Sequence, residues 1–381
     1  MNQTTRERES SESRAVMYLA FELSRKEWKL AFTMEAGQKP RLRTIAAGDI
    51  PKLQEEIRLA QQKFGLKDCR VVSCYEAGRD GFWLHRQLEA LAIANIVVDA
   101  GSMEVSRRFR RAKTDKLDVQ GLLSRLIRFW QGEKKVWSVV RVPTVDQEDG
   151  RQLSRELEAL KQERTRHRNR LVGLLVSQGV MELKAATNFL EQLETVSLWD
   201  GTRVPPGLKG RLQREFKRLE LVQEQIRLLE KQRQEEVAAQ DSRAMQMVKQ
   251  LVLLKGIAMT SAWVFVREFF GWRQFRNRRE LASLAGLAPL PYQSGESLNR
   301  EQGISKAGNG RIRTMIVEIA WAWLRFQPQS RLSLWFQERY GPGSRRSRKV
   351  GIVALARKLL VALWRYLTTG LVPEGARLKS A

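Results

Sequence analysis

AVMYLAFELSRKEWKLAFT, residues Ala15 to Thr33, decides the fold. It holds two apolar, β-like runs around a short polar turn, and RLRTIAA (Arg41 to Ala47) supplies a third, so the chain opens as a three-stranded meander. From Ile50 to Phe64 the apolar residues take helical spacing at Leu53, Ile57 and Leu59 to Ala60. CRVVSCYE (Cys69 to Glu76) is then a continuous apolar strand ending in an acid. A helix over Phe82 to Leu91 leads to ANIVVDA (Ala94 to Ala100), a fifth strand. The order is βββ, α, β, α, β, α, which mixes antiparallel and parallel pairing in one sheet.

That is the order of a ribonuclease-H-like (RuvC-like) layer domain, expected over residues 15–144 after a disordered tail of residues 1–14. Between Val145 and Gln240 the character changes to long charged helices. Leu153, Leu157, Leu160, Arg164, His167, Leu171 and Leu174 form a heptad seam with a polar middle, and Leu212, Phe216, Leu219, Ile226 and Leu229 sketch a second. This is the expected coiled-coil region, residues 145–244. Periodicity allows the seams to fold back on each other or to meet copies in another subunit. Residues 245–372 read as a mainly helical domain, and 373–381 as a tail. The chain is thus α/β followed by all-α. Within the last domain, Leu254-Lys255-Gly256-Ile257 resembles the turn of a helix-hairpin-helix, whose amides suit a phosphate. Trp321 and Trp323 lie in a helix-like run and read as core.

Composition narrows the function. Across 381 residues, 68 Lys and Arg stand against 42 Asp and Glu, a formal charge of +26. Such an excess calls for a polyanionic partner, nucleic acid before membrane. Cys69 and Cys74, five apart in a strand, point to opposite faces, and His85 and His167 are the only histidines, which excludes a Cys/His zinc site. The N-terminus has no apolar signal region, and Arg357, Lys358 and Arg365 interrupt the apolar stretch near the C-terminus, so no membrane segment is expected. The expected location is the bacterial cytoplasm, on the nucleoid when DNA is bound.

Four carboxylates fall where such a fold gathers them: Glu22 near the end of the first strand, Glu76 at the end of the fourth, and Asp115 with Asp118, three apart at a helix start. Clustered carboxylates call for a cation, and oxygen-only ligands suit Mg²⁺ or Mn²⁺. Arg107, Arg108, Arg110, Arg111, Lys113 and Lys116 flank the Asp pair as a phosphate-binding stripe. Farther on, Arg300, Lys306, Arg311 and Arg313 follow Tyr292-Gln293-Ser294-Gly295, with Gly303, Gly308 and Gly310 placed to let backbone amides approach a phosphate. Arg164, Arg166, Arg168 and Arg170 offer further contacts from the charged helices, and Arg345, Arg346, Arg348 and Lys349 form another basic run.

The run Lys113-Thr114-Asp115-Lys116-Leu117-Asp118, Glu76 in CYEAGRDG, and the GLAP…SG…GISKAGN pattern from Gly286 to Arg313 resemble the DEDD transposases of bacterial insertion sequences of the IS110 type. The resemblance covers about residues 15 to 330. It implies that Glu22, Glu76, Asp115 and Asp118 hold Mg²⁺ (or Mn²⁺), and that Ser294 is the nucleophile joined covalently to DNA. It further implies donor and target DNA as substrates, an element-encoded guide RNA, and subunits associated through the coiled coil. One position departs from the pattern: Phe21-Glu22-Leu23 places Glu where the family has Asp. Two other readings fit the residues. One is a RuvC-like, structure-selective nuclease that uses water and not Ser294; the other is a nucleic-acid-binding protein with a decayed site.

Overall fold

The computed structural model describes residues 15–78, 81–103, 115–183, 186, 188–239, 241–294 and 297–379, with only the backbone of Asp115, Lys116 and 291–302. The chain divides into two compact units, Met1–Val142 and Pro143–Ala381.

The first unit contains β1 (Ala15–Leu23), β2 (Glu27–Thr33), β3 (Arg41–Ala46), α1 (Ile50–Lys63), β4 (Cys69–Glu76), α2 (Trp83–Ala90), β5 (Ala94–Val98) and α3 (Asp115–Trp130). The five strands form one sheet in the order β3-β2-β1-β4-β5. The meander pairs antiparallel, whereas β1 with β4 and β4 with β5 pair parallel, as the element order requires. Because strand side chains alternate between faces, the sheet builds two cores. Met17, Leu19, Phe21 and Tyr75 pack with Leu53, Ile57, Leu84 and Leu88 of α1 and α2. Tyr18, Ala20, Val72 and Cys74 pack on the other face with Val119, Leu122 and Leu126 of α3. Cys69 rests against the first core and Cys74 lies in the second, on opposite faces. The Asp49 carboxylate accepts the Lys52 amide at 2.9 Å to start α1. The buried Arg41–Glu56 pair, at 2.5 Å, ties β3 to that helix.

The second unit runs α4 (Val145–Asp149), α5 (Gln152–Val176), α6 (Phe189–Thr195), α7 (Pro206–Ala239), α8 (Arg243–Val252), α9 (Met259–Phe265), α10 (Arg278–Leu284), β6 (Pro289–Ser294), β7 (Ser297–Ile304), α11 (Gly310–Phe326), α12 (Arg331–Tyr340) and α13 (Arg345–Thr369). The two seams close on each other within the chain. Leu171 and Leu175 of α5 share a core with Leu212, Phe216 and Leu219 of α7. At the other end of the pair, Leu153, Leu157 and Leu160 meet Val222, Ile226 and Val237 in the large core built with α8 to α13. Bridges Lys161–Glu230 and His167–Glu215, both 2.7 Å, fix the helices antiparallel, since the numbers on one rise as those on the other fall. Trp323 is fully buried and its indole donates to Ser330 Oγ at 2.8 Å. Trp321, expected in the core, is 45% exposed, because two positions of helix carry it away from Trp323's face.

Gly256, at φ +91°, makes the turn between α8 and α9. The expected phosphate-binding amides there are partly spent on the chain's own C-terminus. The Lys255 amide donates to the Arg377 carbonyl (3.2 Å), the Lys379 amide to the Leu253 carbonyl (2.7 Å), and Gln327 Nε2 to the carbonyls of Lys255 and Arg377.

In the helical hairpin, the buried Glu215 carboxylate meets His167 Nδ1 at 2.7 Å, Arg170 Nη1 at 2.5 Å and Arg218 Nη1 at 3.1 Å. Burial pushes its pKa up, but the hydrogen bonds and charges of His167 and Arg170 outweigh it and hold the carboxyl below its usual range. A depressed carboxylate pKa stabilises the fold above the unfolded value, ~4.3, and that contribution is lost as pH falls through the lower folded value. Glu215→Gln should therefore lower stability at neutral pH by about 2 kcal/mol and flatten the acid limb of Tm against pH. Calorimetry between neutral and acid pH checks both.

Candidate active site

The sheet's pairing places the first two acids. Phe21 stands beside Tyr75 in the parallel β1–β4 register, so Glu22 and Glu76 follow side by side at the C-terminal ends of neighbouring strands. Alternation assigns their face. Glu22 continues the series Tyr18, Ala20, and Glu76 continues Val72, Cys74, so both belong to the face covered by α3. The Cys74 thiol supports this: its pKa is pushed up first by burial and then by the Glu76 charge. Across the antiparallel β1–β2 ladder, Lys29 is the register neighbour of Glu22.

The direction of α3 brings the remaining acids to the same end. Cys74 Sγ lies 4.0 Å from the Leu122 carbonyl, and the Arg70 guanidinium sits 5.0 Å from the Trp130 ring centre. Thus α3 runs antiparallel to β4, with its last residue over the start of the strand. Asp118 is one turn before Leu122 and Asp115 is the first residue of the helix, so both lie toward the end of the sheet that carries Glu22 and Glu76. Glu22, Glu76 and Asp118 are half-buried. Among the described residues, no group of three or more Asp, Glu, His or Cys side chains is gathered to hold a metal ion. Arg107, Arg108, Arg110, Arg111 and Lys113 lie outside the described residues, and Lys116 is described in its backbone alone.

Sequence reasoning passed over Asp99, at the end of β5. Its carboxylate accepts the Gly101 amide at 3.1 Å, which makes it a turn-forming residue. His85 faces Asn95 at 3.0 Å, and its pKa is pushed down by burial, as befits a packing histidine.

Ser294 belongs to the second unit. It is the last residue of β6 and pairs with Ser297, the first residue of β7, at the tip of an antiparallel hairpin. The turn-rich segment seen in the sequence is therefore a β-hairpin standing among helices. Its base is locked to its neighbours through backbone bonds: Ser305 N–H to the Ala288 carbonyl (2.9 Å), Lys306 N–H to Gly286 (3.2 Å) and Asn309 N–H to Leu284 (2.8 Å). Gly286 and Gly308 both have positive φ, and a Cβ on either would strike a crossing backbone carbonyl, Ala307 or Leu284. At Gly308 the expected role of exposing amides to phosphate gives way to close crossing of the chain. Two of the expected phosphate ligands are also engaged internally. Arg311 Nε lies 2.6 Å from the Glu158 carboxylate, and Arg313 Nη1 donates to the Lys306 carbonyl at 2.8 Å. Lys306 is exposed, and Arg300 is described in its backbone only. On α5, Arg170 is likewise taken by Glu215.

Comparison with known proteins supplies the class. Residues 248–334, which contain the α8–α9 turn and the serine hairpin, match the model of the transposase family IS116/IS110/IS902. Two Sinorhizobium fredii proteins, each described as "Putative transposase", are similar over most of the chain. The relative y4rJ is 42% identical over 96% of this chain and 95% of its own length, and y4qE is 29% identical over 74% and 66%. The transposase for insertion sequence element IS1111A of Coxiella burnetii is 27% identical over 67% of each chain. The class is that of transposases. Within it, this chain belongs to the IS116/IS110/IS902 family. Among the described residues no helix is long and apolar enough to cross a membrane.

If Gly286 and Gly308 are there to let the chain cross itself at the base of the serine hairpin, Gly286→Ala should cost about 3 kcal/mol through left-handed strain and collision with Ala307. Gly303→Ala, at positive φ but with nothing within 4 Å of its Cβ, should cost only about 1 kcal/mol. Chemical denaturation of the two variants, read by far-UV circular dichroism, separates the crossing from generic loop strain.

Proposed function

We propose that this transposase cuts and rejoins DNA through a covalent Ser294–DNA intermediate, with Mg²⁺ or Mn²⁺ held by Glu22, Glu76, Asp115 and Asp118, and with an element-encoded RNA selecting the DNA. The observation that carries the reading is the common face and common end shared by Glu22, Glu76 and the acidic start of α3. The donor set is made only of hard carboxylate oxygens, which fits Mg²⁺ or Mn²⁺ and not zinc. Like charges on adjacent strand ends also repel, and a cation relieves that repulsion. A bound divalent ion would lower the pKa of an attacking oxygen and stabilise charge on the leaving one.

The chain's own groups do the rest. Ser294 Oγ attacks the phosphorus of a DNA phosphodiester. The Oγ–P bond forms, the bond from phosphorus to one deoxyribose oxygen breaks, the serine proton departs, and the released oxygen takes up a proton. Attack by a second DNA hydroxyl on the serine–phosphate diester reverses these steps and restores the serine. Glu22 offers the same carboxylate as Asp on a side chain one methylene longer. Association of subunits through the long helices and RNA guidance belong to this proposal through the family likeness.

Ser294→Ala should abolish the protein–DNA adduct on denaturing gels while DNA binding persists. Glu76→Gln should slow cleavage about 10³-fold or more and remove Mn²⁺ binding measured by titration calorimetry, whereas Glu22→Asp should retain both. An undiminished adduct in Ser294→Ala rules out this serine. Cleavage without any adduct in that variant identifies the water-using nuclease instead. Normal DNA affinity with neither metal binding nor cleavage in the unaltered protein identifies the decayed form.

A further inference from the structure

A cleft of about 1120 Å³ opens in the second unit between α5, α7, α9 and the start of α11. Five cations line it, Lys161, Arg166, Arg233, Arg311 and Arg313, against two carboxylates, Glu158 and Glu318. Arg311 is paired with Glu158 inside the cleft, and Lys161 with Glu230 of α7.

Arg233 is the unusual member. It is 5% exposed, its Nη1 donates to the neutral Thr260 hydroxyl at 3.1 Å, and its Nε has no hydrogen-bond partner. Other arginines with an orphaned Nε are placed differently. Arg151, Arg267 and Arg273 each lie over an indole ring, and Arg267 also reaches Glu236. Among the described residues, Arg233 has neither an ion-pair carboxylate nor an aromatic face; Glu230 acts on it only through space. Burying a guanidinium that is not neutralised is expensive, and a fold bears that cost where an anion arrives to share the charge.

The start of α11 adds a second attraction. This helix is 17 residues long, and its positive dipole end lies at the same cleft through Asn309 and Gly310. Asn309 Oδ1 already accepts the amides of Arg311 and Ile312, so the field of the helix, more than free N–H groups, acts on a ligand there.

We propose that this cleft holds a backbone phosphate of a DNA strand, with Arg233 as its buried anchor and Arg166 and Arg313 beside it. The inference rests on the DNA-handling reading above and names a site for it outside the acids and the serine. A phosphodiester supplies two acceptor oxygens that match the fork of a guanidinium better than the point charge of Lys. The charge around the cleft favours an anion, and the partner is a transposase's DNA.

The test uses full-length protein, with fluorescence anisotropy on duplex DNA, single-stranded DNA and single-stranded RNA over a range of KCl concentrations. Arg233→Met should weaken DNA binding about tenfold or more at low salt and reduce the slope of log K against log[KCl] by about one, the share of a single phosphate contact. Its Tm should be unchanged or higher, because a buried charge without an ion pair has been removed; a structural arginine would give the opposite sign. Thr314→Glu, an exposed position lining the same cleft, tests the site by repulsion without disturbing the core. It should also weaken DNA binding.

Unaltered DNA affinity and slope in both variants overturns the proposal. If Arg233→Met unfolds, Thr314→Glu decides alone, and its normal affinity is equally fatal. Loss confined to RNA overturns the assignment to DNA. Failure of the unaltered protein to bind any of the three probes removes the DNA-handling reading, and this cleft with it.

Discussion

Parallel pairing of β1 with β4 is the constraint on which the candidate site depends. A slip of one residue would turn Glu22 toward the core under α1 and α2, and would drive Met17, Leu19 and Phe21 onto the face of α3. The two hydrophobic cores forbid that slip, since each needs its own half of the alternating side chains. The position of the acids is therefore enforced by apolar residues that take no part in chemistry.

Much of this was legible in the sequence, because alternation and continuous apolar runs are local signals. The strand ends carrying Glu22 and Glu76 could be read directly. The direction of α3 could not, since it is set by Cys74 with Leu122 and Arg70 with Trp130, contacts between residues 48 and 60 apart in the chain. The serine hairpin was hidden for another reason. Pro289 and Pro291 in PLPYQS argue against a strand, because proline cannot donate to a ladder. A two-stranded ribbon has two free edges, and its pairing shifts register between these prolines. Gly308 reads as phosphate-binding in sequence, but the carbonyl that requires it, Leu284, like Ala307 for Gly286, belongs to a crossing that only the folded chain creates.

The long helices pose a similar problem. Their heptads specify a seam but not whose seam they face. The polar middle supplies the missing information. Glu215 is buried, and it is tolerable only opposite His167 and Arg170. A shift of one heptad along the pair would strip it of both and leave only the exposed Arg218 of its own helix, which costs more than the leucines could recover from a new alignment. Register within the hairpin is thus set by one carboxylate, and the pairing that sets it spans more than forty residues of sequence.

The two units divide the proposed chemistry between elements of different stiffness. Acids on strand ends are held by a sheet packed on both faces, which suits groups that must keep a fixed separation. The serine sits at the tip of a two-stranded ribbon, an element too small to be stable by itself. Such a ribbon keeps a defined position only through its base, and that base is bonded to the end of α10 and the start of α11. The start of α11 is in turn tied to α5 by Arg311 and Glu158. Position at the serine is therefore inherited from the helical hairpin through that ion pair, the core that Ile312 and Ile316 share with Leu157 and Leu160, and a backbone crossing. This explains why arginines that look like phosphate ligands in the sequence make internal contacts in the structure: Arg311 and Arg313 hold the base of the ribbon that carries Ser294.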